Sequence, residues 1–184
     1  MSNLYRIVPY VAGAKKGTQG HPLFFPENKG VHRVDNQGHY QVSYFASDGS
    51  CAFAEKFAYL KKWDELTLRP DRSMPNSKWA LISYEIDAGA PIFDMDDAAN
   101  LLKLGVRPSH VVTLDREITQ AWALKVFKNK KYSGISWWSY FNSKWSVFGI
   151  WGLEGLSVKK VEILTMKHPV VKPAAEITNK LIRI

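Results

Sequence analysis

The chain has 184 residues, 46% hydrophobic and 23% charged, with seven Trp, eight Tyr and nine Phe; this is the make-up of one folded domain spanning 1–184 and excludes a disordered chain. One cysteine, Cys51, excludes an internal disulfide and a cysteine-based zinc site, and five histidines without an i, i+4 pair give no metal site to expect. The net charge of +8 favours anionic partners, but the lysines come as scattered pairs such as Lys15-Lys16 and Lys130-Lys131, which argues against nucleic acid.

Leu4–Tyr10 reads as a strand ended near Pro9. No basic segment with a long apolar run opens the chain, and no stretch reaches the roughly 18 apolar residues of a membrane span, so a cytoplasmic protein without membrane contact is expected. Residues 13–30, rich in Gly, Pro and Lys, read as a long loop of the kind that often carries function. Gln41–Ser47 follows as a short strand. Ser50–Trp63 is predicted as a helix with Phe53, Phe57 and Leu60 on one face and Lys61 and Lys62 in its last turn. After an irregular excursion containing Pro70 and Pro75, Trp79–Ile86 is a strand and Pro91–Asp94 a shorter one. Asp96–Leu104 is a short helix stopped by Gly105, and Asp115–Lys128 a long one with Ile118, Trp122 and Val126 as its apolar line. Gly134–Trp138, Trp145–Trp151 and Val158–Thr165 are predicted strands, and 174–183 a terminal helix. Without repeats or a regular βαβ alternation, the class is α+β, a compact mixed sheet with flanking helices.

Three features bear on chemistry. Glu55 sits among the small residues Ala52 and Ala58 on its helix; it leaves room for a ligand, or it is an ordinary carboxylate at the edge of a solvent face. In Y-S-G-I-S-W-W-S-Y (132–140), Trp137 and Trp138 point to opposite faces of a strand, so one packs inward and the other is available to a cleft, unless both serve the core or a subunit interface. Ser139 closes that strand with its hydroxyl free. Arg6, inside an apolar strand, and Arg33, after the loop, are each either a forked phosphate donor or a structural ion pair. No glycine-rich nucleotide fingerprint and no G-x-S-x-G occurs, which argues against a Rossmann dehydrogenase, a P-loop NTPase and an α/β-hydrolase.

Taken in order, L-Y-R-I (4–7), H-R-V-D-N (32–36), V-S-Y-F-A-S followed by A-F-A-E (42–55) and Y-S-G-I-S-W-W-S (132–139) resemble the RES-domain family, named for an Arg, a Glu and a Ser. The chain departs from the family at His32, where glycine usually precedes the second Arg. The resemblance implies a compact fold related to ADP-ribosyltransferase toxins. It also implies an enzyme that degrades NAD⁺ at the nicotinamide–ribose bond by phosphorolysis or hydrolysis, and a protein antitoxin as partner. NAD⁺ is then substrate rather than bound cofactor, with inorganic phosphate as a co-substrate. On this resemblance Glu55, Arg6 and Ser139 are the catalytic candidates, and Arg33, Tyr44 and Trp137 bind NAD⁺. The chemistry asks for such a set: a carboxylate beside an oxocarbenium-like ribose, cations on the diphosphate and an aromatic surface for nicotinamide. An ADP-ribosyltransferase acting on a protein, and a basic binding module without catalysis, are the alternatives.

Overall fold

A computed structural model describes residues 3–27, 29–86, 91–151 and 153–183. In chain order, β1 is Asn3–Tyr10, β2 Ser43–Ala46, α1 Gly49–Phe57, β3 Lys62–Trp63, β4 Lys78–Ile86 and β5 Ile92–Asp94. Then come α2 Ala98–Leu104, α3 Arg116–Lys128, β6 Gly134–Trp138, β7 Ser146–Ile150, β8 Leu156–Ile163, α4 Val171–Thr178 and β9 Leu181–Ile182. The architecture is mixed α/β: a seven-stranded sheet in the order β5-β6-β7-β2-β1-β4-β8, parallel only between β5 and β6, with four helices among the described residues.

Strand alternation sends successive side chains to opposite faces and so divides the core in two. Ile7, Leu81, Ile135 and Val147 face the helices and pack with Phe53 and Phe57 of α1, Leu101 of α2, Trp122 and Val126 of α3 and Ala174 of α4. Leu4, Val8, Ile82, Tyr84 and Ile150 face the other way. No helix among the described residues packs on that second face; Leu23 and Phe25 of the 13–30 loop cover it, pinned where the Tyr84 hydroxyl donates to the Pro22 carbonyl at 2.7 Å. The long loop therefore closes a core.

Several boundaries differ from expectation, each for a physical reason. Strand β1 runs through Pro9, which pairs across from Trp79 of β4; by that point β1 has left β2, and an open strand side tolerates a residue without N–H. The helix predicted over 50–63 ends at Phe57, capped by Ala58, so Lys56 and not Lys61 or Lys62 lies in its last turn. The chain turns there to bury Trp63, whose indole N–H donates to the Phe57 carbonyl at 3.0 Å, and Lys62–Trp63 pairs with β9. The last helix likewise stops early: Asn179 takes φ 51°, the left-handed turn that ends a helix, and Leu181–Ile182 becomes β9 in place of further helix. The other helix starts follow their caps, with Asp48, Asp97 and Asp115 each accepting from backbone N–H groups of the first turn.

Candidate active site

Strands β1 and β2 are hydrogen-bonded partners at one position, Tyr5 opposite Ala46. Past it they diverge, so Arg6 and Ile7 no longer face Phe45 and Tyr44 across a ladder. A cleft of about 380 Å³ opens in this gap, lined by residues 5–7 of β1, residues 44–46 of β2, Ala52, Glu55 and Lys56 of α1, and Trp137 and Tyr140 from the end of β6. His32, Arg33 and Arg116 complete its rim. A larger cavity of about 560 Å³ lies between the 10–23 segment and the start of β8, with no carboxylate among the described residues of its lining.

Glu55 is the one acid among the described residues that line the cleft. By surface area it is exposed, because its open side is the cleft itself. The walls nevertheless crowd the carboxyl enough that burial raises its pKa above the usual carboxylate range, with the Ser139 hydroxyl and the charge of Arg33 pulling it back down. Ser139 donates to Glu55 Oε1 at 2.7 Å and accepts from the Phe141 N–H at 3.1 Å. This corrects the expectation of a free hydroxyl: Ser139 is 2% exposed, lies one residue beyond β6 and holds Glu55 from behind.

The two expected arginines differ. Arg6 points to the loop-covered side of the sheet, its guanidinium 4.8 Å above the Phe25 ring, and its Nη1 is buried with no hydrogen-bond partner. Burial lowers its pKa, and Tyr84 opposes the shift. Arg33 is instead committed: its Nη1 donates to the carbonyls of Val111 and Thr113 at 2.8 and 2.7 Å, tying the segment before α3 to the cleft rim. Burial and the neighbouring Arg116 lower its pKa, and Glu55 raises it.

Aromatic groups form the remaining walls. Tyr44 donates to Asp35 Oδ1 at 2.7 Å and accepts from the Val34 N–H at 3.2 Å, so its ring is locked; burial and that carboxylate raise its pKa far above the usual phenol range. Trp137 meets Tyr44 edge-on at 6.3 Å between ring centres. One tryptophan thus does both jobs that were divided between two: Trp137 is 4% exposed and also lines the cleft, while Trp138 packs on the rim of the helix-side core. His32 adopts no positive φ, so its turn has no conformational need for glycine. The turn is held by Asp35, which accepts from the His32 N–H, and by Gln120 of α3, which donates to the carbonyls of Gly30 and His32.

Lys56 and Arg116 were not foreseen. Lys56 has its ammonium 4.7 Å over the Trp79 ring; burial, then Arg6, lowers its pKa. Arg116, the first residue of α3, has a buried Nη1 without partner. The site therefore presents four cations to one carboxylate, and none of the four is ion-paired among the described residues. Such a cleft suits an anion with a cationic or electron-poor centre near Glu55. No group of three potential ligands that could hold a metal ion occurs among the described residues, and none of their helices is long and apolar enough to cross a membrane.

Comparison with known proteins finds no matching curated relative. The crystal structure of the M. tuberculosis MbcT–MbcA toxin–antitoxin complex contains a similar chain, at TM-score 0.62 and 12% identity over 97% of this chain and 90% of that one; at that identity the likeness is one of fold. The profile of the RES domain matches residues 3–163. Because that span runs from β1 through β8 and takes in Arg6, Arg33, Glu55 and Ser139, the chain belongs to the RES-domain family.

Proposed function

We propose that this chain is an NAD⁺-consuming enzyme that cleaves the nicotinamide–ribose bond by phosphorolysis or hydrolysis, and that it acts in the cytoplasm as the toxin of a toxin–antitoxin pair, restrained by a protein antitoxin. The observation that carries the reading is the Ser139-held carboxylate of Glu55 facing a cleft otherwise lined by cations and aromatic rings. The likeness of fold to a chain from a toxin–antitoxin complex supports the partner. On the same reading, residues 1–184 form one domain whose fold is a relative of the ADP-ribosyltransferase toxins, which would generate the same ribosyl cation.

The chemistry follows from charge. Nicotinamide leaves NAD⁺ as a neutral base, so its departure needs no general acid. Positive charge moves onto the ribose, and ionised Glu55 stabilises it in a cleft where water screens poorly. Arg6 and Lys56 would take the diphosphate, with the unpaired fork of Arg6 satisfied by phosphate oxygens. The Tyr44–Trp137 wall would hold nicotinamide. Because burial raises the Glu55 pKa, the ionised form is lost as pH falls, and activity should decline on an acid limb lying above the range of an ordinary carboxylate.

Expression in bacteria without an antitoxin tests the reading. Wild type should deplete NAD⁺ and stop growth, whereas Glu55→Gln at equal protein level should do neither. Arrested cells with normal NAD⁺, or no arrest at all, would overturn it.

A further inference from the structure

Asp35 is 1% exposed and makes no ion pair among the described residues. It stands behind the cleft wall and divides its two oxygens between the turn and the wall. Oδ2 accepts from the His32 N–H at 3.0 Å, and Oδ1 accepts from the Tyr44 hydroxyl at 2.7 Å. The Tyr44 oxygen in turn accepts from the Val34 N–H at 3.2 Å. The phenol is thereby fixed against a buried carboxylate while its ring lines the cleft. His32 and Trp137 meet that ring at 68° and 83°, with ring centres 5.7 and 6.3 Å away, so neither lies flat on it. A neutral acceptor would hold the turn and the phenol equally well. Burying a carboxylate away from any cation costs more than burying a neutral acceptor, so its charge calls for a cationic partner from outside the chain.

NAD⁺ brings such a partner. Its nicotinamide is a cationic pyridinium until the bond to ribose breaks, and it enters a cleft where Arg6, Arg33, Lys56 and Arg116 all repel it. On the reading above, the charge of Glu55 is spent on the ribose. A phenol that donates to a carboxylate is polarised towards its ring, and an electron-rich ring attracts a cation on its face. We infer that Asp35, acting through Tyr44, makes the nicotinamide subsite selective for an N-substituted pyridinium cation over the neutral pyridine, so that substrate is held and spent nicotinamide is let go. The inference rests on the NAD⁺ reading. Asp35 itself lies behind Tyr44 and is a positioning residue. Its charge acts in the ground state, where the nicotinamide ring is positive, and stops acting once that charge has moved to the ribose. It therefore lowers the NAD⁺ KM without raising kcat.

The test compares two inhibitors of NAD⁺ cleavage: 1-methylnicotinamide, a pyridinium cation, and nicotinamide, nearly the same molecule without the charge. Each is titrated against wild type, Asp35→Asn and Tyr44→Phe. Asparagine keeps an acceptor at nearly constant shape and loses the charge. Phenylalanine keeps the ring and the Asp35 bond to His32 but cuts the link between them, so it carries the test if Asp35→Asn disturbs the turn. Wild type should bind the cation about three- to thirtyfold more tightly than the neutral probe. Both variants should bring that ratio close to unity and raise the NAD⁺ KM by a similar factor, with kcat unchanged or higher. A merely structural role would lower kcat and leave the ratio alone, and that result overturns the inference. Equal inhibition of wild type by the two probes, or a ratio that survives both substitutions, overturns it as well; in each of these cases NAD⁺ cleavage itself stands. Wild-type protein that leaves NAD⁺ intact sinks the NAD⁺ reading, and the selectivity with it.

Discussion

Replacing Ser139 by alanine separates two roles that a lost activity alone would not. The hydroxyl lies 84 residues from Glu55 in sequence and 2.7 Å from it in space, and it also takes the Phe141 N–H. If Ser139 acts through Glu55, the substitution removes a hydrogen bond to an ionised group worth about 1.5–3 kcal/mol, a roughly 10- to 150-fold loss of kcat/KM at neutral pH. It also leaves the Glu55 pKa higher, because the hydroxyl now holds it down. The sign follows: less Glu55 is ionised at neutral pH, the acid limb of the rate profile moves to higher pH, and part of the activity returns as pH rises. Full pH profiles of kcat/KM for wild type and Ser139→Ala, with Ser143→Ala as an exposed neighbour, make the comparison. A uniform loss with an unmoved acid limb would refute the coupling and point to direct contact of Ser139 with substrate.

Glu55→Gln should retain the bond from Ser139, since the amide oxygen still accepts, and so keep the wild-type melting temperature while NAD⁺ turnover falls roughly 10²–10³-fold, the equivalent of ~3–4 kcal/mol of charge stabilisation; thermal melts and initial rates check both halves. The two arginines should respond differently to lysine. Arg6→Lys removes a buried unpaired fork, so NAD⁺ binding should weaken with the melting temperature kept or raised, whereas Arg33→Lys loses two carbonyl bonds and should melt several degrees lower. Beneath the cleft, a Cβ on Gly149 would stand 2.8 Å from Val34 Cγ2, 3.1 Å from Val42 Cγ2 and 3.4 Å from Trp137 Cζ3. Gly149→Ala should therefore cost about 1–3 kcal/mol in chemical denaturation and raise the NAD⁺ KM by pushing on the turn that carries Arg33.

What could be read from the sequence was local. Helix α3, with Asp115 as cap and Trp122 and Val126 buried, and α2, stopped by Gly105 at φ 66°, announce themselves through periodicity and end signals. The family blocks likewise led to Arg6, Arg33, Tyr44, Glu55 and Trp137, all of which the fold brings to one cleft. What could not be read depends on distant partners. Trp63 ends α1 early by reaching the Phe57 carbonyl and pairing with β9, more than a hundred residues on. Arg33 turns from a free fork into a brace only because residues 111–113 fold against it. Arg116 looked like an ordinary residue of a helix's first turn; its unpaired buried nitrogen exists only once α3 packs beside the cleft. Lys56 had one usable signal, its place next to Glu55 on a helix with a small-residue face.

The most direct test of the account is proton NMR of NAD⁺ incubated with purified protein. The account predicts that the signal of the nicotinamide-ribose anomeric proton disappears as free nicotinamide appears in equal amount, with wild type active and Glu55→Gln slower by at least about a hundredfold. NAD⁺ left intact by the wild type, or cleaved as fast by Glu55→Gln, would contradict it.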